Sequence, residues 1–308
     1  MTWRIRGGSV SLARPVILGI LNVTPDSFSD GGSFFSPNQA IAHARQLVAE
    51  GADLIDIGGE STRPQGAARV PIEEERRRIL PVIAGVRAEC PGVPISVDTV
   101  KADVAVAALE AGASVINDVS MLREEPRLAS VCADYGAGLI LVHSRGDVPT
   151  MATYQHASYG RDVTREVLDE LTGQVAAAER AGVAPSAIVV DPGIGFAKRT
   201  AHSVTVLAEL PRIVALGYPV LVGVSRKRFI GEITGVERPG ERGYGTIGGS
   251  VAALALGARL FRVHDVRGAR QALDVAWSIL DRDQSRASGA APSASLVDRP
   301  ETQASESR

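Results

Sequence analysis

The stretch Val16-Ile17-Leu18-Gly19-Ile20-Leu21-Asn22 is an uninterrupted apolar run that ends on a side-chain amide. Apolar runs without polar alternation are typical of parallel β-strands that are covered on both faces. After this first run at residues 16–21, similar runs span residues 54–57, 94–97, 114–116, 138–142, 187–190, 220–224 and 259–263. The pattern predicts eight parallel strands.

The segments between these runs have helical composition. Residues 37–50, 72–89, 102–111 and 163–181 carry apolar residues at helical spacing and charged residues on the opposite face. Strand–helix alternation through the whole chain predicts a parallel α/β fold. Eight repeats favour a closed (β/α)8 barrel, the TIM barrel, over an open sheet.

A single domain is expected at residues 1–282, because α/β barrels often reach about 250 residues in one unit. The composition changes after Asp281 to Ser, Ala, Gly, Pro and scattered charge. Such a segment buries too little apolar surface to offset its ordering entropy. Residues 283–308 are therefore predicted to form a disordered polar tail.

Each predicted strand ends on, or is interrupted by, a polar or ionisable side chain. The carboxyl ends of barrel strands and the loops that follow them converge on one mouth, where barrel active sites lie. One polar strand end has little meaning, but eight in register indicate a site. The side chains are Asn22, Asp56, Glu60, Asp98, Asn117, His143, Asp191, Ser225, Arg226, Lys227, Arg262 and His264.

Charge and cysteine content exclude several classes of function. The chain has 33 basic and 35 acidic residues, a net charge of -2, which gives no support for a nucleic-acid partner or a membrane-surface role. No run of 18 apolar residues occurs, so no membrane span is expected. Cys90 and Cys132 are the only cysteines and belong to no metal-binding motif. A cytoplasmic location with reduced thiols is expected.

Short motifs follow seven of the predicted strands, and two of them open long loops that contain Gly and Ser. They read NVTPDSFSDGG (residues 22–32), GGESTRP (58–64), SVDT (96–99), NDVS (117–120), DPGIGF (191–196), SRK (225–227) and RVHDV (262–266). Together they resemble the signatures of the dihydropteroate synthases, in the same order, across roughly residues 16–282. One such motif would be weak support, but seven in order are highly specific.

The resemblance implies a transferase of folate biosynthesis. Family members join p-aminobenzoate to 6-hydroxymethyl-7,8-dihydropterin pyrophosphate and release dihydropteroate and pyrophosphate. A C–O bond to pyrophosphate breaks, so negative charge grows on the leaving group, and Arg262 and His264 are suited to meet it. An aromatic amine is neutral at pH 7, so a strong general base is not required before attack.

The resemblance also implies a role for individual residues. Asn22 is expected to bind a Mg²⁺ ion, for which one neutral oxygen ligand is adequate when phosphates complete the shell. Asp98 is also placed to stabilise positive charge on the pterin methylene. The expected pterin ligands are Asp98, Asn117, Asp191 and Lys227. The other expected substrate contacts are Thr62, Val263, Phe28 and Pro64, of which Phe28 and Pro64 are expected near p-aminobenzoate. Asp30 and Arg63 are expected on the two loops that fold over the site. A homodimer and inhibition by sulfonamides, which mimic p-aminobenzoate, are further expectations.

Two other functions are consistent with a pterin-binding barrel. A methyltetrahydrofolate-dependent methyltransferase would share the pterin contacts but lack the pyrophosphate ligands. A non-catalytic pterin-binding paralogue would be indicated by loss of Arg63, Lys227, Arg262 or His264, and all four are present. Replacing Arg262 or Lys227 with alanine is expected to leave a folded barrel with severely reduced turnover, because each removes a charge from the site and not from the core.

Two features are open to more than one interpretation. Residues 193–198 contain two glycines and a lysine but lack P-loop spacing, so a tight turn that lets the backbone approach the pterin is favoured. His143 is either a site residue or a structural histidine at the end of a strand.

Overall fold

The computed structural model describes residues 1–24, 36–60 and 69–288, with side chains as far as residue 281. Its strands are β1 (Thr2–Ile5), β2 (Gly8–Ser11), β3 (Val16–Asn22), β4 (Leu54–Gly58), β5 (Ile95–Asp98), β6 (Val115–Asp118), β7 (Gly138–Val142), β8 (Ile188–Asp191), β9 (Leu221–Val222) and β10 (Leu260–Val263). Its α-helices are α1 (Pro37–Ala49), α2 (Ile72–Glu89), α3 (Ala102–Glu110), α4 (Arg127–Tyr135), α5 (Val163–Arg180), α6 (Thr200–Ala208), α7 (Leu210–Val214), α8 (Arg228–Thr234), α9 (Gly243–Ala255) and α10 (Val266–Ser288).

Strands β3 to β10 form one parallel sheet that closes into a barrel. Their order is β8-β7-β6-β5-β4-β3-β10-β9. The two ends of the sheet meet through a parallel bridge between Val190 and Val220, and the Val190 N–H donates to the Pro219 carbonyl at 3.0 Å. The predicted (β/α)8 fold is confirmed, and each predicted apolar run overlaps one barrel strand.

Helices cover the outside of the barrel, each with its apolar face inward. In α5, for example, Val167, Leu171 and Val175 are buried. That helix begins at Asp162, whose carboxylate accepts a hydrogen bond from the Arg165 N–H at 2.8 Å and so satisfies a helix donor that has no partner within the helix. Among the described helices, none combines the length and apolarity required to cross a membrane.

Side chains on the barrel strands alternate between the helix layer and the barrel interior, as the twofold repeat of a strand requires. Ile55 and Ile57 of β4 pack in the outer core, whereas Leu54 belongs to the inner core. Asp56 has the same parity as Leu54 and lies one layer nearer the mouth. The inner core beneath it contains Leu18, Leu54, Val115, Ile140, Val189, Leu221 and Leu260.

A short antiparallel hairpin, which the sequence analysis did not predict, covers the amino-terminal end of the barrel. Strand β1 pairs with β2, and Trp3 is fully buried with its indole N–H donating to the Ala187 carbonyl at 2.9 Å. A Cβ on Gly138, where β7 begins, would lie 3.0 Å from Ile5 and Trp3 atoms. The hairpin closes this end, so the strand-end polar groups line the opposite one.

The last helix is longer than the sequence analysis predicts. Helix α10 extends from Val266 to Ser288, so residues 283–288 are helical although they were predicted to belong to the tail. The remainder of the predicted tail, residues 289–308, lies outside the described residues.

Candidate active site at the mouth of the barrel

Arg262 lies between two carboxylates in the barrel interior. Its Nε donates to Asp56 Oδ2 at 2.6 Å, and its Nη2 donates to Asp98 Oδ2 at 2.8 Å. The Asp56 side chain is fully buried, and those of Asp98 and Arg262 are 13% and 23% exposed. Arg262 Nη1 makes no hydrogen bond within the described part of the chain, which leaves its N–H groups for a ligand.

Asn117 joins this group from β6. Its Nδ2 donates to Asp56 Oδ2 at 3.2 Å, the same oxygen that accepts from Arg262. Asn117 is 1% exposed, and its Oδ1 has no hydrogen-bond partner within the described residues. A buried acceptor of this kind favours a ligand that brings an N–H or O–H donor.

Burial controls the ionisation of Asp98. Removal from water raises the pKa of its carboxyl to about 7, and the nearby Asp56 raises it as well, while the Arg262 guanidinium opposes both. The carboxyl therefore changes charge near neutral pH, where a lightly buried aspartate would be fully ionised.

Asp191 and Lys227 form the other side of the mouth. Burial raises the pKa of Asp191 to about 6, against the hydrogen bond that its Oδ1 accepts from the Gly193 N–H at 2.7 Å. Burial lowers the pKa of Lys227 to about 8, although Asp191 favours its charged form. The Lys227 ammonium lies 4.0 Å from the centre of the Phe196 ring, a cation–π contact.

A tight turn follows β8, as predicted for residues 193–198. Gly193 has a φ of 65°, and a Cβ there would lie 1.7 Å from the His143 carbonyl oxygen. Only glycine fits this approach of two backbone segments. The turn directs the Gly193 N–H at Asp191 and places Phe196 beneath Lys227.

His264, which directly follows β10, is held in place by Ser225. Ser225 Oγ lies 2.9 Å from His264 Nδ1 and accepts from the His264 N–H at 3.2 Å. The hydroxyl can thus donate to Nδ1, and in the tautomer that accepts this bond the ring proton is on Nε2. The neighbouring Val263 side chain packs in the outer core and is 1% exposed, so only its backbone can face the mouth.

Asn22 ends β3 beside a glycine. It pairs in register with Gly58, which pairs in turn with Asp98. A Cβ on Gly58 would lie 3.5 Å from Asp98 Cβ and 3.8 Å from both Asn22 Oδ1 and Asp98 Oδ2, so these two oxygen atoms flank the glycine. Within the described ranges, no group of three or more His, Cys, Asp or Glu side chains could hold a metal ion.

The predicted loop residues fall on the segments between the described ranges. Phe28, Asp30, Thr62, Arg63 and Pro64 all lie outside the described residues. The base of the second loop is described.

Glu60 connects the two ends of that loop. Its Oε1 accepts from the Val70 N–H at 2.8 Å, and its Oε2 pairs with Lys101 Nζ at 2.7 Å. Lys101 also pairs with the fully buried Glu75 at 2.5 Å. One ammonium group thus ties the loop base to α2 and to the start of α3.

His143 lies outside the mouth, which resolves the open interpretation in favour of a structural role. Its Nε2 is 3.1 Å from Glu170 Oε2 on α5, and its Nδ1 is 2.7 Å from Lys198 Nζ. Burial lowers the pKa of His143 to about 3 and that of Lys198 to about 7. Lys198 also donates to the Gly193 and Phe196 carbonyls, both at 3.2 Å, and so braces the turn after β8.

Three residues of this site have no role that the sequence predicts. Asp56 stands only at a strand end, and Ser225 and Lys198 are only parts of motifs. Asp56 has the strand parity of Leu54, which predicts an inward side chain. No comparable signal in the sequence indicates that Lys198 is buried.

The arrangement defines a class of protein: an α/β barrel whose mouth is lined by carboxylates, an amide and cations. The pterin binding enzyme family matches residues 18–264, and the chain is a member of it. Dihydropteroate synthases of Synechocystis and Mycobacterium leprae are 46% and 45% identical to this chain over 85% and 87% of it, and over 89% and 95% of their own lengths.

Solved structures agree with this relationship. A Xanthomonas albilineans dihydropteroate synthase with 4-aminobenzoic acid has a TM-score of 0.83 and 46% identity, covering 91% of this chain and 98% of its own. The Thermus thermophilus enzyme in complex with 6HMPPP has a TM-score of 0.77 and 44% identity, covering 91% and 100%. The chain belongs to the dihydropteroate synthases, which confirms the resemblance.

Proposed function

We propose that the barrel mouth joins 6-hydroxymethyl-7,8-dihydropterin pyrophosphate to p-aminobenzoate and releases 7,8-dihydropteroate and pyrophosphate. Membership of the dihydropteroate synthases makes the chain a transferase of folate biosynthesis. Related enzymes have been solved with 4-aminobenzoate, with 6HMPPP and with 7,8-dihydropteroate. The observation that carries the proposal is Arg262 between Asp56 and Asp98, with Asn117 bound to the same carboxylate.

The pterin ring presents an amide, an amine and ring nitrogens, and the buried groups complement it. Asn117 Oδ1 and the carboxylates of Asp98 and Asp191 accept hydrogen bonds, and Lys227 donates. These groups are already largely buried, so pairing with the ring costs little further desolvation.

The reaction breaks the C–O bond between the pterin methylene and pyrophosphate and forms a C–N bond to the amine of p-aminobenzoate. The amine lone pair makes the new bond, the C–O electron pair leaves with pyrophosphate, and the amine loses one proton to solvent. Asp98 stabilises positive charge on the methylene as the C–O bond lengthens. Arg262 Nη1 and His264 Nε2–H are the proposed donors to the departing oxygens.

Mg²⁺ fits this site as a cofactor shared with the substrate. Asn22 Oδ1 and Asp98 Oδ2 flank Gly58, and one amide ligand suits an ion that takes phosphate oxygens and water as its remaining ligands. When bound, the ion would neutralise charge on the leaving group. Asn22 would hold it, and the role of the chain's other groups is to orient the two organic substrates.

A direct assay tests the proposal. Purified protein is supplied with the pterin pyrophosphate, Mg²⁺ and p-aminobenzoate, and pyrophosphate is measured. Release that depends on p-aminobenzoate is expected. Pterin binding without release would identify a non-catalytic paralogue, and methyl transfer from methyltetrahydrofolate would identify the alternative enzyme class. A sulfonamide is expected to inhibit in competition with p-aminobenzoate.

We also propose a homodimer formed through α9 and α10. These helices pack against each other and expose apolar side chains: Tyr244 is 92% exposed, and Val275 and Ile279 are 63% and 60% exposed. Large exposed apolar side chains on adjacent helices favour burial against another subunit. Light scattering of the wild type and of Val275→Asp is expected to report a dimer and a monomer; a wild-type monomer would contradict the proposal.

A cytoplasmic location is proposed as well. It is consistent with two buried free thiols, Cys90 and Cys132, which have no disulfide partner among the described residues.

A further inference from the structure

We propose that Asp56 is a positioning residue for pterin recognition, which sets the orientation of both Arg262 and Asn117. The inference rests on the proposed function, because it concerns how that site binds the pterin ring. Asp56 itself lies below the mouth with a fully buried side chain and is not proposed to touch the substrate.

The orientation of Arg262 depends on its two carboxylate partners. A guanidinium group with one carboxylate partner can pivot about it, whereas carboxylate partners on two of its nitrogens hold its plane. Asp56 on β4 accepts from Nε at 2.6 Å, and Asp98 on β5 accepts from Nη2 at 2.8 Å. Without Asp56, the guanidinium group would be free to swing onto Asp98 alone. That movement would use up the Asp98 oxygens that the pterin methylene requires.

The orientation of Asn117 depends on Asp56 as well. The two ends of an amide side chain have nearly the same shape, so only hydrogen-bond partners decide which end points where. Asp56 Oδ2 accepts from Arg262 Nε at 2.6 Å and from Asn117 Nδ2 at 3.2 Å, so it is an acceptor toward Asn117. The Asn117 carbonyl oxygen must therefore turn away from Asp56. It is buried and has no partner within the described chain.

The orientation of this amide determines which ligand chemistry the site selects. A fixed acceptor at Asn117 Oδ1 favours a ring that presents an N–H donor, as the amino and lactam groups of a pterin do. A flipped amide would present its own donor and leave it facing another donor. A buried donor or acceptor without a partner costs about 1–3 kcal/mol, enough to separate the two orientations.

An asparagine at position 56 isolates this effect. In Asp56→Asn the amide oxygen can still occupy the place of Oδ2 and accept from both partners, so the shape of the core is kept. The substitution removes the negative charge that binds Arg262, and its amide can also turn over and present a donor to Asn117, which permits Asn117 to flip. Asp56→Ala removes both hydrogen bonds and leaves space.

Ser96 provides a matched control. It is the register partner of Asp56 on β5, it is fully buried, and its Oγ has no hydrogen-bond partner among the described residues. Ser96→Ala therefore removes a buried polar group from the same layer without touching the contacts of Arg262 or Asn117.

The decisive measurement is calorimetric titration of the full chain with 6-hydroxymethylpterin, together with steady-state kinetics. Asp56→Asn is expected to raise the dissociation constant for the pterin about tenfold, and Asp56→Ala to raise it more. The KM for p-aminobenzoate at saturating pterin pyrophosphate is expected to stay within about twofold, because the family resemblance implies that this substrate lies near Phe28 and Pro64 and not near Asp56. Ser96→Ala is expected to bind the pterin as the wild type does.

A double-mutant cycle tests whether Asp56 acts through Asn117. The loss caused by Asp56→Asn is expected to shrink in the Asn117→Ala background, since the amide that it orients is absent. Full additivity, or wild-type pterin affinity in folded Asp56→Asn, would overturn the inference. If Asp56→Ala does not fold, Asp56→Asn and the cycle still decide. Wild-type protein that binds pterin but releases no pyrophosphate would contradict the proposed function alone.

Discussion

Replacing Arg262 with alanine is expected to cost stability as well as turnover. The sequence alone suggested a charge that belongs to the site and not to the core, but Arg262 is the shared partner of Asp56 and Asp98 at 2.6 and 2.8 Å. Breaking a buried ion pair by removing one partner costs about 3–5 kcal/mol, because the other charge stays buried and unpaired. The Arg262 side chain is 23% exposed, which favours the lower end, about 3 kcal/mol.

The loss is also expected to depend on pH. Burial already raises the pKa of Asp98 to about 7 against the attraction of Arg262, and Arg262→Ala removes that attraction. A carboxyl whose pKa is higher in the folded than in the unfolded state destabilises the fold above that pKa. This penalty fades as pH falls, so the deficit is expected to be larger at about pH 8 than at about pH 5.5.

Urea unfolding followed by circular dichroism, at both pH values, measures these effects. Lys227→Ala is the control, because Lys227 forms no ion pair within the described residues and its ammonium rests on the Phe196 ring at 4.0 Å. Its free energy of unfolding is expected to change by less than about 1 kcal/mol, although turnover falls severely. If Arg262→Ala were as stable as Lys227→Ala at both pH values, Arg262 would not be holding the two carboxylates.

Four buried groups lead to further predictions. The ratio kcat/KM for the pterin pyrophosphate is expected to rise as Asp98 ionises, near its pKa of about 7. It is expected to fall as Lys227 loses its proton, near its pKa of about 8. A pH–rate profile that is flat across this interval would contradict both expectations. The buried Asp118 carboxylate accepts hydrogen bonds from two N–H groups and a hydroxyl at 2.5–2.8 Å, and Asp118→Ala leaves these donors without a partner. The free energy of unfolding in urea titrations is expected to fall by about 2–4 kcal/mol. Asp134 is exposed, and Asp134→Ala is expected to leave the free energy of unfolding unchanged. Burial lowers the pKa of Lys198 to about 7, so the unfolded chain binds more protons than the folded chain above that pH. The stability of the wild type is therefore expected to rise relative to that of Lys198→Met between about pH 7 and about pH 10. Parallel stability curves of the two proteins would show that the ammonium group is not desolvated.

Much of the fold was predictable because each element carries its own signal. The run at residues 16–21 is apolar throughout, and it became β3, which is covered on both faces. The hairpin was missed because TWRI and GSVS are short and mix polar with apolar residues, and their stability comes from docking Trp3 and Ile5 against the barrel. No local pattern contains that contact.

Strand parity predicts the direction of several strand-end side chains. His143 follows Val142 of β7, and Val142 belongs to the inner core, so the next side chain turns to the helix layer. The same rule turns the Val263 side chain outward and the Asp56 side chain inward. Alternation along each strand is therefore sufficient to separate strand-end residues that face the mouth from those that face the helices.

The sequence by itself determined the strand–helix rhythm, the family and the set of polar groups at one end of the barrel, because these depend on local periodicity and on motifs a few residues long. Only the tertiary structure decided which charges pair. Arg262 is 206 residues from Asp56 along the chain, and a guanidinium group suits a carboxylate as well as a phosphate. Closing the barrel brings β10 beside β3, and the Arg262 side chain reaches across the barrel interior to β4 and β5. In this buried interior, the carboxylates of Asp56 and Asp98 become its partners.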